Sequence, residues 1–275
     1  MKPAPFEYIR PQTVNEAVRA LASAANAKIM AGGQTLGPML NLRLARPELI
    51  VDVTRIAELA AVSEEADAVI IGATVTHAAI EDGRVPDPTH GFLHRVARGI
   101  AYRAVRTRGT IGGSVAHGDP AADWLSTLTA LGAEVVVAGP AGRRRQALAE
   151  FVRGAMQTEL EAHEVVLGVR IPRFSHSARF AFHKICRRTG EFAEAIGVVV
   201  DDPERSYVAM VAGATAGKPI ILPSSMNGNG MQDGRKMSVD QLVELLKSAQ
   251  FDGDEYDVRL HAVALKRACD EAYKA

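Results

Sequence analysis

Cysteine is almost missing from these 275 residues, which hold only Cys186 and Cys269. Two thiols exclude a disulfide-stapled fold. They also exclude a resident iron–sulfur cluster, which takes about four thiolates, so any such cluster sits on another chain. Aromatic residues are scarce, at 5%, and the core has to be assembled from Ala, Val, Leu and Ile. Neither sign of charge is in excess. Lys plus Arg and Asp plus Glu stand at 32 each, so no net field draws the chain to nucleic acid or to an anionic membrane. Nowhere do about 18 apolar residues run without a charge, and no membrane span is expected. Arg19, Lys28, Glu134 and Asp201 cut the best apolar stretches, and residues 1–8 lack the apolar run of a signal peptide. The expectation is a soluble, cytoplasmic protein with no metal site.

What is present is globular. Hydrophobic residues make up 47% and charged residues 23%, a composition that buries a core unaided. At about 150 residues per domain the length corresponds to one or two domains. Thr13 and Glu16 form a capping box, and Val14, Ala17, Val18, Leu21 and Ala22 recur at helical spacing behind it. Lys28 to Ala31 read as a strand that runs into the Gly32-Gly33 turn. Helices are expected over 39–44, 77–81, 93–101 and 121–131, and strands over 49–53, 69–72, 134–138 and 165–171. Composition shifts after Pro172. Runs 179–184, 195–200 and 207–213 predict a three-stranded antiparallel meander, and two amphipathic helices, 239–249 and 258–272, close the chain. The stretch 223–237 has no apolar period and reads as a loop.

Two elements stand out as candidates for chemistry: Ala31-Gly32-Gly33-Gln34-Thr35 and Thr110-Ile111-Gly112-Gly113-Ser114. Each pairs two glycines with a hydroxyl residue. A glycine pair permits positive φ and close approach to a ligand, and N–H groups exposed in such a bend make a concave anion site suited to a pyrophosphate. Each alone also describes an ordinary tight turn. Two of similar form about 80 residues apart favour one ligand held between two loops. Other motifs fail. There is no P-loop, and Gly228, Gly230 and Gly234 miss the dinucleotide-binding spacing. His90 and His94 share an i,i+4 spacing without a third ligand. Ser114 lacks the second glycine of a nucleophile elbow. Cys186, among Lys184, Arg187 and Arg188, reads as a buried structural thiol. Arg103, Arg106 and Arg108 form a cluster able to face phosphates, or simply a solvated face.

Residues 31–35, 108–123 (RGTIGGSVAHGDPAAD) and 184–193 (KICRRTGEFA) together resemble the FAD-binding medium subunit of the molybdenum hydroxylases, and the similarity covers nearly the whole chain. The resemblance implies an α+β fold. A two-subdomain FAD-binding domain of the vanillyl-alcohol-oxidase (PCMH) type would span 1–172, with subdomains of about 1–55 and 56–172, and a small C-terminal domain would span 173–275. It implies FAD as cofactor. Lys28, Ile29, Met30, Ala31, Gly32, Gly33, Gln34, Thr35 and Leu36 would line the pyrophosphate together with Thr110, Ile111, Gly112, Gly113 and Ser114. Ala101 would touch the adenine or ribityl side. Asp123 would bond the flavin or its ribityl chain, Lys184 would lie near the isoalloxazine, and Phe192 would shield its face where several relatives carry Tyr.

No residue of this chain is implied as catalytic. The resemblance implies an oxidoreductase subunit that takes electrons from iron–sulfur clusters of a small partner subunit and passes them to an external acceptor, beside a large molybdopterin subunit, in a dimer of heterotrimers. Two other readings stay open at this point: a free-standing flavoprotein of the same fold, and an assembly subunit without flavin.

Overall fold

The computed structural model describes residues 2–223 and 237–274; most of the loop expected at 223–237 lies outside them. A small parallel sheet comes first. Strands β1 (Glu7–Ile9), β2 (Ala27–Met30) and β3 (Leu49–Asp52) lie in the order β1-β3-β2, and helix α1 (Val14–Ala22) crosses between the first two. Thr13 caps α1 by accepting from the Glu16 N–H at 3.2 Å. The Glu16 carboxylate closes on the N–H of Gln12, one residue before the cap. Helix α2 (Leu36–Asn41) starts earlier than expected, with Pro38 in a first turn where no N–H is required. Asp52, at the end of β3, accepts from Tyr8, Arg10 and Thr54 and ties β1 to β3 beside the first glycine bend.

The middle of the chain builds a larger antiparallel sheet. After α3 (Ala57–Ala60), strands β4 (Val62–Glu64) and β5 (Ala68–Gly72) pair; helices α4 (His77–Glu81), α5 (Phe92–Gly99), α6 (Arg103–Arg106), α7 (Ile111–His117) and α8 (Asp123–Ala130) follow. Strands β6 (Glu134–Gly139) and β7 (Gly142–Ala147) form a hairpin, α9 (Leu148–Phe151) leads to a short ribbon of β8 (Val152–Gly154) and β9 (Gln157–Thr158), and β10 (Val165–Pro172) enters the centre of the sheet. The order is β4-β5-β10-β6-β7. Strand β7 is an edge carrying Arg143, Arg144 and Arg145, which is why apolar alternation does not reveal it; charge on an edge strand also blocks further pairing. One face of the sheet buries Ile71, Val135 and Val169 against Phe92, Trp124 and Leu128. The other packs Ala138, Val165 and Leu167 on Val14, Ala17 and Leu21 of α1, so the two sheets share a core.

The third sheet has four strands rather than three: β11 (Arg179–Ile185), β12 (Ala195–Asp202), β13 (Tyr207–Gly213) and β14 (Ile220–Ile221), in sequential order. The last is two residues long, too short to show a period. All of β12 is buried, because α8 covers one face and α10 (Val239–Ser248) with α11 (Glu255–Ala272) covers the other. Strands covered on both sides read as continuous apolar runs. Helix α11 begins three residues before the expected start, at an Asp254/Asp257 capping box. No helix among the described residues is long and apolar enough to cross a membrane.

Two glycines set the depth of this sandwich. A Cβ at Gly197 would lie 2.6 Å from the Ala264 carbonyl of α11, and one at Gly213 would lie 1.7 Å from the Ser126 hydroxyl of α8. Gly197→Val is expected to push α11 off the sheet and to cost about 1–3 kcal/mol, as overpacking does, measured by urea unfolding. Unchanged stability would mean that β12 and α11 do not meet as described.

Candidate functional site

The first glycine bend joins β2 to α2. Its two glycines serve different needs. Gly33 has φ +71°, a conformation that other residues adopt only under strain. Gly32 is required by contact: a Cβ there would lie 2.0 Å from the carbonyl oxygen of Arg108 and 2.9 Å from the Cα of Gly109. The two bends, far apart in the chain, therefore touch through bare backbone. The N–H groups of Gly32, Gly33, Gln34, Thr35 and Leu36 find no acceptor among the described residues. Successive free N–H groups around a left-handed glycine form an anion-binding concavity.

The second bend differs from its expected form. Thr110 is the N-cap of α7, and Gly112 and Gly113 lie within the first helical turn rather than in an open loop. Its N–H groups from Ile111 to Ser114, expected to be exposed, are spent. Ile111 donates to Val75 at 3.1 Å, Gly112 to Ala73 at 3.0 Å and Ser114 to the Thr110 carbonyl at 3.0 Å. Gly113 donates to the Thr110 hydroxyl at 3.1 Å. Gly112 is pressed on Ala73, whose Cβ would lie 2.4 Å from an added Cβ. Gly113 faces the first bend: a Cβ added to it would lie 4.0 Å from the Ala31 Cβ and 2.8 Å from the Thr110 hydroxyl. The half-buried Ser114 is the hydroxyl of this bend left without a partner among the described residues.

Residues 73–77 hold the second bend in place. Thr76 bridges Thr110, and the His77 N–H donates to the Gly109 carbonyl at 2.9 Å. The His77 ring fills the space a Gly109 side chain would occupy, 2.9 Å from its added Cβ. Trp124 Nε1 donates to His77 Nδ1 at 3.0 Å, so that nitrogen is an acceptor and the ring is neutral. Burial first, and the Arg106 charge second, push the His77 pKa down to about 4. Arg106 is itself buried. It grips Glu81 with Nε and Nη2, and its Nη1 donates to the Ile100 carbonyl at 2.8 Å and the Ala101 carbonyl at 3.0 Å. That clamp fixes Ala101, a non-glycine residue at φ +42°. Arg103 is likewise engaged by Glu81 and Asp82. Of the three arginines considered as phosphate ligands, Arg108 alone is exposed and has no side-chain partner among the described residues.

Asp123 and Lys184, expected separately around a flavin, face each other. The Lys184 ammonium donates to both Asp123 oxygens, at 3.0 and 3.3 Å, and side-chain exposures of 10% and 7% make this a buried pair. Burial raises the Asp123 carboxyl pKa, and the Lys184 charge opposes that shift. The pair joins α8 to β11, the middle of the chain to its last third. A second junction lies close in sequence: Gly190, at φ +90°, would place a Cβ 3.0 Å from the Ala101 carbonyl and 3.2 Å from Tyr102. Phe192, two residues on, is 71% exposed. Cys186 is half-buried rather than buried. Lys28, on β2, is exposed, while Ile29 packs into the core shared by the first two sheets and Ile111 is wholly buried. His77, Trp124, Arg106, Gly109 and Gly190 carry the geometry without having been singled out for it. A lone histidine or arginine gives no signal until its buried partner is known.

Residues 4–174 match the family described as the FAD binding domain in molybdopterin dehydrogenase. The chain is 39% identical over 201 residues to the carbon monoxide dehydrogenase medium chain of Hydrogenophaga pseudoflava, covering 73% of this chain and 70% of that one. It is 34% identical over 225 residues to the caffeine dehydrogenase subunit beta of Pseudomonas sp. strain CBB1, covering 80% and 76%. Among solved structures, a chain of carbon monoxide dehydrogenase from Hydrogenophaga pseudoflava superposes with a TM-score of 0.89 at 31% identity, over 99% of both chains. A chain of quinoline 2-oxidoreductase from Pseudomonas putida 86 gives 0.83 at 28% identity, over 99% and 98%.

Two outcomes follow from the buried charges. Removing one member of the Asp123–Lys184 pair strands the other, which costs about 3–5 kcal/mol for buried pairs, whereas replacing both by apolar residues is close to neutral. Lys184→Met and Asp123→Leu should therefore each destabilise the flavin-free chain, and the double variant should recover most of the loss; additive losses in urea titrations would disprove the pairing. For His77, the unfolded chain takes up a proton near pH 6.5 that the folded chain refuses until about 4. Stability should fall as pH is lowered through that window, by about 3 kcal/mol in full. His77→Gln should flatten this acid loss in denaturant titrations at pH 7 and pH 4.5.

Proposed function

We propose that this chain, which belongs to the family of FAD-binding domains in molybdopterin dehydrogenases, passes electrons from the iron–sulfur clusters of a partner chain to an external acceptor through a flavin held between its two glycine bends. It is an FAD-binding medium subunit of the molybdenum hydroxylase type, and so part of an oxidoreductase. The finer reading rests chiefly on one observation: the backbone contact of Gly32 with the Arg108 carbonyl brings five unsatisfied N–H groups to the junction of the bends. A bare backbone edge with free donors fits a diphosphate bridge, which brings acceptors and no donors.

In this reading residues 28–36 form the pyrophosphate cradle. Thr110 to Ser114 form its opposite wall, with Gly113 keeping the space open and the Ser114 hydroxyl as a donor toward the ligand. Ala101, Asp123, Lys184 and Phe192 border the rest of the cofactor. Bound FAD supplies the redox chemistry, exchanging one or two electrons. The protein's part is binding, orientation and electrostatics, and no acid–base pair of this chain takes part. Residues 1–172 make up the flavin-binding part, with subdomains of about 1–55 and 56–172, and 173–275 the smaller domain. The partners are a small iron–sulfur subunit and a large molybdopterin subunit in a cytoplasmic dimer of heterotrimers.

Gly113→Val puts branched carbon into the gap between Ala31 and Thr110. It should weaken FAD binding about tenfold to a hundredfold, the equivalent of 1–3 kcal/mol of overpacking, with the melting temperature followed as a control on folding. Full flavin occupancy in that variant would refute the loop assignment. Absence of a cysteine-rich chain from the native complex, identified by mass spectrometry, would refute the electron-transfer reading.

A further inference from the structure

The second bend leaves the pyrophosphate short of charge. Every N–H from Ile111 to Ser114 is bonded within the protein, and beyond its backbone dipoles the first bend brings only the exposed Lys28 of β2. The cations on the side of the second bend are mostly committed. Arg103 and Arg106 bind Glu81 and Asp82, and Lys184 binds Asp123. Arg108 is different on each count. Its carbonyl is the atom against which Gly32 is packed, so its backbone forms part of the junction itself. Its guanidinium is exposed and has no partner among the described residues. The free donors of Gly32 to Leu36 begin at the residue it touches.

We propose that Arg108 is a binding residue for the cofactor's diphosphate bridge: its guanidinium neutralises the pyrophosphate that the backbone of the first bend cradles. The proposal rests on the flavin reading above and adds to it a side chain outside the two glycine motifs. A guanidinium suits this place because it stays charged and presents a planar fork of donors to phosphate oxygens. Its free state also makes sense. A cation left without a carboxylate in a chain whose neighbouring arginines are paired has no bond to break before the ligand arrives.

The test uses the full chain, stripped of flavin and titrated with FAD and with riboflavin, which has no phosphate. Binding is followed by quenching of flavin fluorescence at several salt concentrations. Arg108→Gln should raise the Kd for FAD about tenfold, as expected for loss of a charge-assisted bond, and make FAD binding less sensitive to salt. Its Kd for riboflavin should stay that of the wild type, and Arg108→Lys should recover part of the FAD affinity. Equal weakening for FAD and riboflavin, or no change for FAD, would overturn the role of Arg108. Failure of the flavin reading has a separate signature: the wild-type chain would not take up FAD, or Gly113→Val would bind it unimpaired.

Discussion

The approach of Gly32 to the Arg108 carbonyl is the contact on which the rest of the site depends. Neither bend makes a ligand cradle by itself. The first has free donors but no wall, and the second has a wall whose N–H groups from Ile111 to Ser114 are spent. Their contact requires that residue 32 have no side chain, since an added Cβ would lie 2.0 Å from the oxygen, well inside any permitted separation. It also requires that the second bend hold its position. The bridge between Thr76 and Thr110, the hydrogen bond from His77 to Gly109, and the burial of Gly112 on Ala73 anchor it to the large sheet. The first bend is anchored through β2, whose sheet shares an apolar core with the outer face of that same sheet. Two rigid supports thus meet along one backbone edge.

What the sequence made legible follows from how local each feature is. The first glycine bend, the Thr13 cap, the long strands β10 to β13 and the two closing helices all carry their signal within a few residues. Their reading held, with shifts of a few residues at the ends. Features created by partners distant in the chain stayed hidden. Strand β7 is a strand because it pairs β6 at an edge, although its GRRRQA sequence has no apolar side to display. The second glycine pair looked like an open loop because glycine usually marks one; here the pair lies in a helical turn, and close packing on Ala73 explains Gly112. Asp123 and Lys184 were each picked out through a family resemblance, and only the fold places one against the other.

The charged residues show a consistent pattern. Near the junction, burial is combined with pairing. Arg106 shares its donors between Glu81 and two backbone carbonyls, and Asp123 faces Lys184. A buried pair of this kind is not a net source of stability, because desolvation offsets the attraction, and the upward shift of the Asp123 pKa has burial as its first cause. What such pairs fix is geometry. Arg106 can satisfy Glu81 and the two carbonyls together only if residues 100 and 101 bend as they do, with Ala101 in a left-handed conformation. That bend in turn meets Gly190, so a charged group inside the middle sheet's helices determines where a loop of the C-terminal sheet can rest.

This arrangement explains why a redox subunit is built with so few reactive side chains. Proton transfer catalysis needs a group whose pKa lies near the working pH and whose proton is free to move. His77 is held neutral, its Nδ1 occupied by Trp124, and its pKa of about 4 lies far below neutrality. The Asp123 carboxylate is engaged by an ammonium. His77 and Asp123 are thereby committed to support, and no metal-ligating cluster occurs among the described residues. In an FAD-binding subunit the cofactor carries the redox chemistry, and a side chain able to exchange protons beside a reduced flavin would open competing reactions. The structure keeps the backbone donors of the first bend open, while His77, Arg106, Asp123 and Lys184 around the junction are engaged by partners within the protein.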